Sequence, residues 1–431
     1  MQIKVSVEER EGLFKALSVE VEGDVVKRAL EEVYQHLREN AQIEGFRKGQ
    51  APLWLIRARY RDYIEEEVGK KVADATLSAA IEESKLKPVA DIYLEEVKLE
   101  ELTGRLTYRV SFEVPPQFEL AQIEGMEIEI PKVEYSEKML QEQIERLREE
   151  HAVWEPVERE AREGDLVVIE YEITDKETGE KVKGETSGVL GQKIFREEVE
   201  KSLLGKKEGD EVRVEDVDVY DPSGKMVGKA DMTIRIKGVK EKVLPEPNDD
   251  FARELKLGDT WQEALKKLEE EIKARLEDLR REMVMKAVAS KLLQMHQFDL
   301  PQTEVMREVS YLLRQRLGQL EAMGIDTRYV DVRKMAEELL PQASANVKLR
   351  YILDRYAQEK QIEVTEEELK KEIDEQAKRS GVSPDEMRKF LQERGLEEVL
   401  RRDVIRNKAL EDIMSKVVIK EVEEKEDEGN S

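Results

Sequence analysis

The chain has 431 residues and a formal charge of −26, with 40% charged residues, 5% aromatics and no cysteine. That length predicts two to four domains, whose cores must be built mainly from aliphatic side chains and Met. Disulfides, thiol catalysis and cysteine-ligated metal sites are excluded, and Met1–Val5 lacks the apolar segment of a signal peptide. No apolar run approaches the roughly 20 residues of a membrane span, so the expectation is a cytoplasmic protein without membrane contact.

Residues 1–22 predict two strands, because Ile3, Val5 and Val7, and later Leu17, Val19 and Val21, alternate with polar residues. Gly23-Asp24 supplies a break and an N-cap for a helix whose apolar face is Val26, Leu30, Val33 and Leu37. The stretch Gly45-Phe46-Arg47-Lys48-Gly49-Gln50-Ala51-Pro52 follows and reads as a tight loop. From Gly45 to Arg61 there are five basic residues (Arg47, Lys48, Arg57, Arg59, Arg61) and no acidic one. A solvated basic turn is one reading. One aromatic beside two cations also suits a phosphate-rich or acidic surface. A second helical region, Leu53–Glu83, carries Ile64, Val68, Val72, Ala75 and Ala79 on one side. A strand pair around Thr103-Gly104, with Leu106, Tyr108, Val110, Phe112 and Val114 alternating, completes an α+β domain over 1–114.

Val114-Pro115-Pro116 opens a linker, 115–150, with an extended stretch and a helix capped by Ser136. From Gly164-Asp165 the pattern turns to β: strands at Leu166–Ile173, Val212–Val214 and Met232–Ile236, and a short helix over Phe195–Leu204. This is a β-rich module ending near Val243, within a domain spanning 151–243. Everything after Pro247 predicts helix, over 244–420. Trp261, Leu265, Leu268, Ile272, Leu276, Leu279 and Met283 form one face of a helix that can run to Pro301. A Pro341 kink or late start, capping boxes at Thr365/Glu368 and Ser383/Glu386, and a disordered acidic tail over 421–431 complete the chain.

No nucleotide, nucleophile or metal motif is present, and His36, His151 and His296 each stand alone, so neither cofactor nor metal is expected. Six of the thirteen Met residues fall between Met283 and Met335, where they either fill helix cores or form an adaptable apolar surface.

The loop Gly45 to Pro52 resembles the ribosome-binding signature of the trigger factor family. So does the order of parts: an α+β domain, a linker, an FKBP-like β-rich module and an all-α C-terminal domain with long helical arms. The segment Leu244-Pro245-Glu246-Pro247-Asn248-Asp249-Asp250-Phe251-Ala252 is also similar to that family's exit from the isomerase module. The resemblance implies a multidomain α+β fold whose helical body lies between the other two domains, with the isomerase module an insertion. It implies an ATP-independent chaperone that docks on the large ribosomal subunit beside the peptide exit, on ribosomal protein and RNA, and binds nascent and unfolded polypeptides. Gly45, Phe46, Arg47, Lys48, Gly49 and Pro52 would carry docking, and a homodimer off the ribosome is a further implied partner. The module implies peptidyl-prolyl isomerase activity with Tyr171, Val182, Val199, Tyr220 and Met232 at the pocket. Only two of those five are aromatic, which predicts weak catalysis and a module serving chiefly as a binding surface. Two alternatives stay open: a prolyl isomerase acting on unfolded proteins, and a ribosome-independent folding or assembly chaperone.

Overall fold

The computed structural model describes residues 2–47, 49–89, 91–176, 178–220 and 226–423. The chain begins with β1 (Gln2–Glu9) and β2 (Phe14–Glu22), then α1 (Asp24–Asn40), α2 (Leu53–Arg59), α3 (Arg61–Ser84), β3 (Tyr93–Glu100) and β4 (Arg105–Glu113). The four strands form one antiparallel sheet in the order β1-β2-β4-β3. Its inward positions, Leu17, Val19, Val21, Leu106, Tyr108, Val110 and Phe112, are buried against Val26, Leu30, Val33 and Leu37 of α1. Asp24 begins α1 without capping it; the N-cap is Gly23, which offers no side-chain bond.

The second helical region departs from expectation in two ways. It is split at Tyr60 into α2 and α3. Its buried face continues from Ile64, Val68 and Val72 to Thr76 and Ala80, leaving Ala75 and Ala79 exposed. Thr76 is tolerated inside because its Oγ1 donates to the Val72 carbonyl at 2.7 Å and lies 2.9 Å from the Tyr108 hydroxyl. Gly69 lets α3 approach β3, since a Cβ there would sit 2.5 Å from both Val97 methyls.

β5 (Glu127–Pro131) follows, and then a second compact unit, residues 133–281, takes in α4 (Glu137–Glu150), β6 (Val153–Pro156), β7 (Leu166–Asp175), β8 (Lys181–Val189), α5 (Glu197–Leu203), β9 (Glu211–Tyr220), β10 (Met226–Val243) and α6 (Asp249–Glu254). Its antiparallel sheet runs β6-β10-β7-β8, with β9 also on β10. Val167, Ile169, Val199, Leu203, Ile234 and Ile236 form its core. The chain leaves this unit within α7 (Trp261–Met295), which ends six residues short of Pro301.

The remaining elements are α8 (Gln302–Ala322), α9 (Val332–Lys360), α10 (Glu366–Ser380), α11 (Pro384–Glu393), α12 (Glu397–Lys416) and β11 (Val418–Val422). With residues 1–132 they make one compact unit. Pro341 lies inside α9 and neither ends nor delays it. Both capping boxes close reciprocally, at Thr365/Glu368 and Ser383/Glu386. β11 corrects two expectations: the C-terminal third is not wholly helical, and Glu421 and Val422 belong to a strand rather than to a disordered tail. The cause is parallel pairing with β5, Ile419 opposite Ile128 and Glu421 opposite Ile130, over a core of Val288, Leu292, Ile352, Tyr356 and Ile413. Glu423 follows without regular structure, and 424–431 of the expected tail lie outside the described residues. His296 is structural: buried in this region, its Nε2 accepts the Ala121 N–H at 3.0 Å and its Nδ1 lies 2.7 Å from the Leu292 carbonyl.

One contact ties the N-terminal sheet to α8. Glu113, at the end of β4, is 2% exposed, and its two carboxylate oxygens accept the N–H groups of Gln302 at 2.6 Å and Thr303 at 2.8 Å. The N-cap of α8 is Pro301, which has no side chain able to cap, so the helix is capped by a residue far away in sequence. Arg307 adds an ion pair to Asp91 at 2.8 Å.

Candidate functional site

The basic loop hangs between fixed ends. Ile43 and Ala51 pack on the α+β core, and the Tyr60 hydroxyl donates to the Gln42 carbonyl at 3.3 Å. Two turns shape the tip, closed by Phe46 N–H to the Ile43 carbonyl (3.0 Å) and Gln50 N–H to the Arg47 carbonyl (2.9 Å). Gly45 and Gly49 take φ of 87° and 82°, which only glycine adopts without strain. Pro52 serves as N-cap of α2, where its missing N–H is no loss. Phe46, 43% exposed, and Arg47 are thus presented outward. Lys48 lies outside the described residues.

The five cations are not equivalent. The Arg57 Nε donates to the Tyr34 hydroxyl at 3.0 Å, lies 3.4 Å from the Glu101 carboxylate, and its guanidinium sits over the Tyr34 ring. Burial pushes the Tyr34 phenol up to about 12, helped by its bond to Glu101. Arg57 is therefore spent on the fold, whereas Arg47, Arg59 and Arg61 are exposed and make no ion pair among the described residues.

A second surface lies at the far end of the α8–α9 hairpin. These helices pack through Val305, Val309 and Leu312 against Ala343 and Val347. Between Leu312 and Ala343 no residue is buried. Met323 (75% exposed), Ile325, Tyr329 (87%), Val332 and Leu340 face outward there. Met285 and Met306 are exposed too, while Met283 and Met295 pack against the core, so the Met-rich segment divides between the two roles left open by sequence. Flexible thioethers and aromatics on an unpartnered hairpin form an adaptable apolar surface.

The β-rich module holds a cavity of about 280 Å³ lined by Ile169, Ile173, Ile194, Phe195, Val199 and Met232, with Thr186, Arg196 and Asp218 at polar positions. Val199 and Met232 belong to this lining. Val182 does not: it is 55% exposed. Tyr171 packs instead over Gly184, its ring occupying the space a Cβ would need. The Tyr220 side chain lies outside the described ones. Phe195 is the aromatic that sequence reasoning missed. Gly188 on β8 was the available signal, because a Cβ there would lie 2.8 Å from the Phe195 ring and 2.9 Å from Ile194. Beside this core, Arg159 forks onto Asp165, whose Oδ1 accepts at 2.9 Å, and also reaches Glu241 at 2.9 Å. Burial pushes the Asp165 carboxyl up, but the Arg159 fork and the Arg162 N–H outweigh it and hold it below the usual range.

A larger cavity, about 580 Å³, opens between Pro88-Val89 and α8, α9 and α12. Its charges are largely paired, Arg350 with Glu308 at 3.1 Å and Arg406 with Asp354 at 2.7 Å, which marks it as a joint between elements.

Family models described as bacterial trigger factor protein and its C-terminus match residues 3–147 and 260–415. A trigger factor of Aquifex aeolicus is 51% identical over 415 residues, covering 96% of this chain and 87% of that protein. One from Halothermothrix orenii is 29% identical over 431 residues, covering 95% and 98%. A solved structure, described for promiscuous substrate recognition in folding and assembly activities of the trigger factor chaperone, matches at TM-score 0.58 and 25% identity, over 96% of this chain and 99% of that one.

Proposed function

The chain belongs to the trigger factor family of ribosome-binding chaperones, and we propose that it docks through the loop Gly45, Phe46, Arg47, Lys48, Gly49 and Pro52 beside the peptide exit of the large ribosomal subunit. As a chaperone of this family it binds unfolded polypeptides. The observation that carries the docking reading is the loop itself: anchored at both ends, it exposes Phe46 and Arg47 in a window without acidic residues, within a chain of charge −26. An acidic protein approaches ribosomal RNA by such a patch, because its remaining surface is repelled by the phosphates at long range. No nucleotide motif is present, so client release rests on weak, multivalent contacts of the exposed α8–α9 tip. A cytoplasmic location, a homodimer off the ribosome, and domain limits at 114, 150, 243 and 420 belong to the same reading. Among the described residues no helix is long and apolar enough to cross a membrane.

The test is co-sedimentation with ribosomes across a salt series, comparing the parent with a Phe46→Ala, Arg47→Ala, Lys48→Ala variant. Affinity is expected to fall at least about tenfold, and the log–log salt slope to flatten by roughly 1.5, for two lost phosphate contacts at about 0.7–0.9 each. Unchanged binding would remove the docking reading.

For the β-rich module we infer an FKBP-type isomerase of low activity. Rotation about a prolyl bond has a barrier of about 20 kcal/mol, and an apolar pocket lowers it by disfavouring solvation of the planar amide. Among the described residues Phe195 is the one aromatic lining the cavity, beside aliphatics and Met232. A proline-peptide assay is expected to give turnover well below that of an aromatic-lined relative measured alongside; equal turnover would refute the inference.

A further inference from the structure

The first turn of α2 exposes two large apolar side chains beside the basic loop, Leu53 and Trp54, the latter 69% exposed. Ile56, fully buried, pins this short helix to the α+β core. At about 100° per residue, Trp54 lies some 200° around the helix from Ile56, so its indole is held pointing away from the core. The cations that share its segment, Arg47, Arg59 and Arg61, are exposed and unpaired among the described residues, and no carboxylate interrupts them between Gly45 and Arg61. A lone surface tryptophan needs no explanation, but this one stands with exposed Phe46 and Leu53 inside the most basic window of a strongly acidic chain.

We infer that Trp54 is a stacking platform for an unpaired base of ribosomal RNA, with Arg47, Arg59 and Arg61 taking the flanking phosphates. An exposed aromatic on a segment that also carries unpaired guanidinium groups suits single-stranded nucleic acid, since every base has a face to stack and every phosphate a charge to neutralise. Charge decides for RNA over a ribosomal protein: an apolar protein contact would use Trp54 and Leu53 but would leave three unneutralised arginines at its rim. The inference rests on the docking reading and names a nucleic-acid contact within it.

The experiment uses the full chain carrying Trp54→Ala or Trp54→Phe, with ribosome co-sedimentation over a salt series and chemical probing of ribosomal RNA bases in the bound complex. Removing one stack is expected to weaken binding about tenfold, while the salt slope stays that of the parent because no charge is lost. Trp54→Phe should recover most of the affinity, and a base protected by the parent should become reactive with Trp54→Ala. Parent-like binding by Trp54→Ala overturns the inference. So does weakened binding with every base reactivity unchanged, which would assign the contact to a ribosomal protein. The docking reading fails separately: if the Phe46, Arg47, Lys48 variant binds like the parent while Trp54→Ala does not, the loop reading falls and takes the Arg47 phosphate contact with it, leaving the stack at Trp54 with Arg59 and Arg61.

Discussion

Glu113→Ala is expected to destabilise the unit formed by residues 1–132 and 282–431 by about 3 kcal/mol, combining a lost helix cap of about 1–2 with the exposure of buried, unpaired donors. The carboxylate holds the N–H groups of Gln302 and Thr303, and Pro301 offers nothing in its place. A negative charge at a helix N-terminus also meets the favourable end of the helix dipole, and burial strengthens that term. Glu113→Gln keeps one good acceptor and loses the charge, so a loss of about 1–2 kcal/mol is expected. Amide hydrogen exchange reads the effect where it arises: protection at 302 and 303 should fall first, and protection in β4 should follow. Retained protection of both amides in Glu113→Ala would show that this cap does not hold the sheet to α8.

The second large effect concerns the β-rich module. Asp165→Asn leaves Arg159 with Glu241 as its remaining carboxylate and the Glu160 carbonyl. Because Arg159 is partly solvated, the loss expected at Asp165 is about 1–2 kcal/mol, below that of a fully buried pair. Because the folded-state carboxyl sits below its unfolded value, the stability it contributes is present above about pH 4 and is lost as pH falls through the lowered folded value. Parent and variant should therefore differ fully at neutral pH and converge in acid. Urea unfolding followed by hydrogen exchange in β7 and β10 measures both; a stability difference independent of pH would assign the loss to packing instead of charge.

What sequence made legible follows from the range of the interactions. The alternation Leu106–Val114 and the boxes at Thr365/Glu368 and Ser383/Glu386 are local patterns, and each appears where its spacing put it. The loop was legible because glycine, proline and charge all spoke at once. The inward turn of Thr76 was not, because a polar residue enters a core only when a distant partner, here Tyr108, satisfies it. The same holds for Glu113 and for β11: a glutamate, and a charged strand near the chain end, carry no local sign of what pairs with them. In the module cavity, likeness to a family pointed to Tyr171 and Tyr220 as the aromatics, while Phe195, in the loop after β8, is admitted by the bare backbone of Gly188 on that strand.

The β5–β11 pairing has a consequence in time. Lys420 meets Glu127 across 293 residues of chain, so the strand at 127–131 has no partner until almost all of the protein has been made. Residues 133–281 form a continuous unit that can close as soon as it emerges. At about 5–20 residues per second, the earlier strand waits roughly 15–60 s, with Ile128 and Ile130 uncovered. During that interval the growing polypeptide exposes the same kind of apolar surface that, as a finished chaperone, it shelters in other chains.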